Sequence, residues 1–139
     1  MDASAVKALV SRELEPLAEK LGVGHWDITT STGSLEAGSD GAMKAGECNR
    51  LIDYDAAHIR LNPEAFEADA DAIKTLRHEL FHILVSPLDL VWDMTQELLG
   101  DDAKAFKALS IAWTHATEKS LINLERMYQG LTAKAASAS

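Results

Sequence analysis

The chain has 139 residues, of which 47% are hydrophobic and 25% charged, a composition typical of one soluble globular domain. Thirteen Lys and Arg against 22 Asp and Glu give a net charge of −9, which argues against nucleic acid or an anionic membrane surface as a partner. No apolar run approaches the roughly 20 residues of a membrane span, and the charged N-terminus is unlike a secretory signal. The lone cysteine, Cys48, excludes a multi-cysteine zinc cluster. We therefore expect a cytoplasmic protein.

The first half of the chain predicts one helix followed by strands. Residues 2–21 carry apolar side chains at helical spacing and are followed by Gly22 and Gly24, which favour a helix end. Residues 25–31 alternate between apolar and polar side chains and predict a short strand. Residues 32–46 contain four glycines and predict a loop.

Two further strand patterns follow this loop. Leu51, Ile52 and Tyr54 indicate one strand, and the alternation over residues 57–61 indicates another. The second pattern ends at Asn62-Pro63, where Asn62 suits the cap and Pro63 the first position of a helical turn.

The second half predicts helices throughout. Apolar periodicity indicates helices over residues 71–85 and 88–99, and Asp101-Asp102 opens a last helix that we expect to run to about Tyr128. Gly130 suits the position after that helix, and residues 131–139 are predicted to be a disordered tail. The predicted order, one helix followed by a few strands and then by several helices, is typical of the α+β class.

The most informative motif is His-Glu-Leu-Phe-His, residues 78–82, within the predicted helix over residues 71–85. His78 and His82 lie one helical turn apart, about 40° apart around the axis, so both imidazoles can reach one metal ion. Glu79 points about 100° away from His78 and suits a general base acting on a water molecule at the metal. The spacing therefore predicts one Zn²⁺ ion held by His78 and His82.

A hydrolytic zinc site takes three protein ligands and one open position, so a third ligand is expected elsewhere in the chain. The last helix offers His115, Glu118 and Glu125 on one stripe, and among these we favour Glu118, with His115 next. Glu118 faces the same way as Ile111 and Ile122, which suggests a partly buried carboxylate. The preceding helix supplies further candidates: Asp89, Asp93 and Glu97.

The stretch from about Asp53 to Glu125 resembles the small zincin-like metallopeptidases often encoded by phages and prophages. The resemblance rests on AAHIRLNP, on TLRHELFHILVSPLD and on EKSLINLE near the end of the last helix. It implies a minimal zincin-like domain, residues 1–130, with a small mixed or antiparallel sheet, and it implies a zinc-binding role for Glu118. It also implies that the strand before the helices forms the edge of the cleft and holds an extended peptide. That strand consists of Ala57, His58, Ile59, Arg60 and Leu61.

The chain departs from this family at one supporting position. Larger gluzincins have an aspartate four residues after the glutamate ligand, orienting a zinc-bound histidine, whereas this chain has Ile122. Candidates for that orienting role are Asn123, Asp89 and Asp93. Candidates for the donor that stabilises the developing oxyanion are His115, Tyr54 and Tyr128.

The expected function is zinc-dependent hydrolysis of a peptide bond in a peptide or protein substrate, with Glu79 as the catalytic base. The competing function is a non-catalytic, phage-type binding or regulatory protein in which zinc only staples helices together. A closed site with His115 or Glu125 as fourth protein ligand would favour that alternative. A third alternative is hydrolysis of a non-peptide amide. The sequence leaves the oligomeric state open.

Overall fold

A computed structural model of the chain describes residues 1–38 and 40–138. Residues 39 and 139, which belong to the predicted loop and tail, lie outside that description. The predicted α+β class is confirmed, since the described residues form four α-helices and one three-stranded sheet. The chain forms two compact units, residues 1–86 and residues 87–139. None of the helices in the described ranges has the length and apolar character needed to cross a membrane.

The first unit begins with helix α1 (Ala3–Lys20), as the apolar spacing predicts. Its start is capped by Asp2, whose Oδ1 accepts a hydrogen bond from the backbone N–H of Ala5 at 2.8 Å. Its end is followed by Gly22, which has φ +76°, a conformation that glycine adopts without steric cost. Local cap chemistry therefore sets both ends of α1.

The sheet of the first unit consists of β1 (Asp27–Thr32), β2 (Gly46–Leu51) and β3 (Ala56–Leu61). The strand order is β1-β3-β2, so β3 lies in the centre. It pairs in parallel with β1 and antiparallel with β2. Of the two predicted alternatives, the mixed sheet is therefore the one observed.

The prediction for the second strand is wrong at both ends. β2 begins at Gly46, the last residue of the predicted loop, and it ends at Leu51. Ile52–Tyr54 form a 3-10 turn and not the end of the predicted strand. Asp55 completes the turn with φ 47° and ψ 42°, a left-handed conformation that Asp tolerates better than most residues. The strand therefore ends three residues earlier than the apolar pattern suggests.

Asn62 fixes the position of the loop that leads into β2. Its side-chain Nδ2 donates to the carbonyl oxygen of Lys44 at 3.2 Å. Its backbone N–H donates to the carbonyl oxygen of Ala45 at 2.9 Å. Its Oδ1 also accepts from the backbone N–H of Glu64 at 3.2 Å, which confirms Asn62 as the predicted cap. This buried side chain ties the end of β3 to the residues immediately before β2.

Helix α2 (Asp69–Leu84) packs with α1 against one face of the sheet. Asp71 Oδ2 caps its start by accepting hydrogen bonds from the backbone N–H groups of Glu67 and Ala68. Its end lies just before Ser86-Pro87. The apolar core between the helices and the sheet includes the buried residues Val6, Leu9, Val10, Ala57, Ile59, Leu61, Leu76, Leu80 and Ile83.

The second unit consists of α3 (Pro87–Leu99) and α4 (Ala103–Ala138). Gly100, with φ +55°, ends α3, and Asp102 Oδ1 caps α4 by accepting from the backbone N–H of Ala105 at 3.0 Å. Aromatic rings join the two helices. Trp92 of α3 stacks on Trp113 of α4, with ring centroids 5.5 Å apart.

The predicted end of the last helix is wrong. α4 continues through Gly130 and includes residues 131–138, where we expected a disordered tail. A glycine inside a helix costs about 1 kcal/mol relative to alanine, which weakens a helix without forcing it to end. The small residues after Leu131 are mostly alanine, the best helix former, and they continue the pattern.

Candidate functional site

Two imidazoles lie together on α2. The ring centroids of His78 and His82 are 5.1 Å apart, with the ring planes at 81°, and both side chains are half-buried. This arrangement follows from the helix itself, because residues four apart lie one above the other on one face. The prediction that both histidines share one stripe of the helix is confirmed.

Glu79 lies beside this pair and is only 5% exposed. It reaches the start of β2, where a Cβ atom built on Gly46 would lie 2.7 Å from Glu79 Oε1 and 2.7 Å from Thr75 Cγ2. Only a residue without a side chain therefore fits at the start of β2 without a shift in its neighbours. The close approach brings the Glu79 carboxylate against the backbone of the strand.

Gly46 is a site residue that the sequence pattern does not predict. It is one of four glycines in the predicted loop, and nothing near it in sequence distinguishes it from the others. A glycine inside a strand often marks a close backbone approach, so a correct start for β2 would have singled it out. The contact with Glu79 joins residues 33 positions apart, and no local pattern encodes it.

We expect Gly46→Ala to lower the free energy of unfolding by about 1–3 kcal/mol, the usual cost of overpacking a filled interior. The added methyl group would meet a buried carboxylate and the stiff, β-branched side chain of Thr75. Gly130→Ala in α4 is the matched control, because no atom lies within 4 Å of its added Cβ. That control should raise stability by about 0.5–1 kcal/mol. Urea denaturation measures both, and an unchanged midpoint for Gly46→Ala would contradict the close approach.

On α4, the buried stripe differs from the one predicted. Ile111 and Ile122, the two isoleucines on the predicted face of Glu118, are exposed. The fully buried side chain is Leu121, three residues after Glu118, and Glu125 is 7% exposed. Glu118 is half-buried. The expectation for Glu118 itself therefore agrees with the structure, although the two isoleucines do not mark its face.

His78, His82 and Glu118 form a group of side chains that could hold a metal ion. They offer two imidazole nitrogens and one carboxylate oxygen, a donor set that suits zinc in hydrolytic sites. The other candidate ligands from the sequence are not part of this group: His115, Glu125, Asp89, Asp93 and Glu97. The identity of the ion is not fixed by these donors alone, because imidazole also suits copper, iron and nickel.

The candidates for the oxyanion donor lie in different parts of the fold. Tyr54 is in the exposed turn between β2 and β3, His115 is exposed on α4, and Tyr128 is half-buried on α4. Their predicted roles stay predictions.

The prediction that residues 57–61 form the edge of the cleft is wrong. These residues belong to β3, whose backbone pairs with β1 on one side and with β2 on the other. A central strand has no free edge to which a peptide could add. The His58 ring is also occupied locally, since Thr29 Oγ1 and Ser31 Oγ each lie 2.8 Å from one of its nitrogens. The edge beside α2 is β2, which begins at Gly46.

Comparison with known proteins gives no relative: no family model, no curated protein and no solved structure matches this chain.

Proposed function

We propose that this protein is a zinc-dependent hydrolase that cleaves peptide bonds. One observation carries the proposal: α2 holds two half-buried imidazoles one turn apart, with the buried carboxylate of Glu79 next to the first. One helix therefore brings together a buried carboxylate and two imidazoles, the groups that a metal-assisted hydrolysis needs as general base and metal ligands.

The donor set fits a zinc ion held by His78, His82 and Glu118. When bound, zinc supplies a Lewis-acidic centre that polarises a carbonyl group and lowers the pKa of a coordinated water molecule. A zinc ion held by two histidines and one glutamate would have the three protein ligands typical of catalytic rather than structural zinc sites. This count supports an enzyme over a domain in which the metal only joins helices.

In this proposal Glu79 is the general base. Its carboxylate takes the proton from the attacking water and passes it to the nitrogen of the leaving amine. The helix keeps Glu79 off the stripe shared by His78 and His82, so the carboxylate need not compete for the metal. The close contact with Gly46 limits the positions that the Glu79 carboxylate can take.

The substrate class follows from the edge of the sheet. Among the described strands β2 pairs only with β3, and in this proposal its other side accepts an extended peptide through main-chain hydrogen bonds. Because β2 begins where Glu79 touches Gly46, a peptide added to β2 would pass close to the general base. In this proposal β2 takes the substrate-binding role that the sequence suggested for residues 57–61.

Metal content is the measurement that tests this proposal. In tag-free protein, elemental mass spectrometry should find about one zinc per chain for wild type and for Glu79→Gln, and far less for Glu118→Ala. Glu97→Ala, an exposed glutamate of α3, is the matched control and should keep its zinc.

His115→Ala tests the second choice for the third ligand. Loss of zinc from His115→Ala, with zinc retained in Glu118→Ala, would transfer the ligand role to His115. Absence of zinc from wild type after reconstitution would refute the metalloenzyme proposal. A zinc-loaded protein that cleaves no peptide in a broad library would instead support the non-catalytic alternative.

A further inference from the structure

Helix α3 exposes a continuous row of large apolar side chains. Leu90, Val91, Met94 and Leu98 are between 47% and 88% exposed, and we call these four residues the α3 stripe. At 100° per residue, they fall within an arc of about 100° on the helix surface. Scattered exposed apolar residues are normal, but a contiguous row of this kind marks an interaction surface.

The α3 stripe does not take part in the packing of α3 on α4. That packing uses Trp92, which stacks on Trp113 and lies 6.0 Å from Phe106 between ring centroids. Trp92 lies about 150° around the helix from the centre of the stripe. The packing of α3 on α4 therefore leaves the α3 stripe exposed.

The charges beside the α3 stripe indicate what kind of surface fits it. Asp93 and Glu97 are exposed, lie four residues apart and border the stripe along one side. The sequence of α3 contains no Lys, Arg or His, so no cation of the helix offsets them. A second copy of this chain would bring the same carboxylates against them, which is unfavourable.

We infer that the α3 stripe is the docking surface for a basic amphipathic helix of a partner protein. Apolar side chains of that helix at i, i+3, i+4 and i+7 would pack along Leu90, Met94 and Leu98. Its lysines or arginines would pair with Asp93 and Glu97 and fix its orientation. This inference is independent of the metal site.

The probe that tests the inference is a fluorescein-labelled synthetic helix with leucines along one face and lysines beside them. Its twin carries glutamate in place of every lysine. Fluorescence anisotropy should give an affinity for the lysine peptide about tenfold higher than for the twin, from two ion pairs at the rim of an apolar contact. Asp93→Lys combined with Glu97→Lys should reverse this preference, and Met94→Asp should abolish binding of both peptides.

The matched control reverses two exposed carboxylates elsewhere, Glu64→Lys combined with Glu67→Lys, and should bind the lysine peptide as wild type does. Circular dichroism checks that each variant keeps its helices. The inference is overturned if neither peptide binds wild type, or if the charge reversal on α3 leaves the preference unchanged. It is also overturned if sedimentation finds a wild-type dimer that Met94→Asp dissociates, since the occupant would then be a second copy.

Discussion

Glu79→Gln is expected to lower peptide hydrolysis by about 10²–10⁴-fold, the range that a positioned general base contributes. Glutamine keeps the size and burial of the side chain but cannot take a proton from water at neutral pH. Because Glu79 is not one of the proposed ligands, the zinc content should stay at the wild-type value. Single-turnover cleavage of a fluorogenic peptide library, normalised to zinc content, measures the effect.

The control for this prediction is Glu67→Gln, an exposed glutamate just before α2. It makes the same chemical change and should leave the rate within a factor of about two, as expected for a surface substitution. Equal activity of wild type and Glu79→Gln would exclude Glu79 as the base. Loss of both zinc and activity would indicate that Glu79 acts through the metal site instead.

Leu76→Ala is expected to lower the free energy of unfolding of the first unit by about 2–5 kcal/mol. Leu76 is fully buried in the core between α2 and the sheet, so its truncation removes apolar contacts and leaves a cavity. A loss of this size is a large fraction of the roughly 5–15 kcal/mol that stabilises an ordinary domain. Urea denaturation followed by circular dichroism measures it.

Leu98→Ala provides the same substitution at a position 88% exposed. Its expected effect is below about 0.5 kcal/mol, because little apolar surface is removed from contact. A similar loss of stability in both variants would mean that α3 is covered in solution, and it would contradict the exposure on which the docking inference depends.

The elements predicted correctly are those that local physics decides. The apolar spacing of α1 and α2 needs only the helical period, and the start of α1 needs only Asp2 as a cap. Gly100 and Asp102 similarly separate α3 from α4 through conformations available to single residues. Such features are readable because their causes lie within a few residues.

The strands predicted wrongly depend on partners distant in the chain. β2 could not be delimited from its own residues because its register comes from pairing with β3. The central place of β3 depends on β1 joining its other side, which no alternation pattern encodes. The candidate site likewise has one part that local sequence predicts and one part that it does not. The imidazole pair follows from helical spacing, whereas the contact of Glu79 with Gly46 is a tertiary one.

The strand order also determines when the sheet can assemble during folding. β2 and β3 are joined by four residues, so their hairpin closes a short loop at small entropic cost. β1 precedes both strands and, among the described strands, pairs only with β3, so joining it to the sheet closes a longer loop. Closing that longer loop is the slower, non-local step. Gly46 belongs to the β2–β3 hairpin, so its contact with α2 can form before β1 joins the sheet.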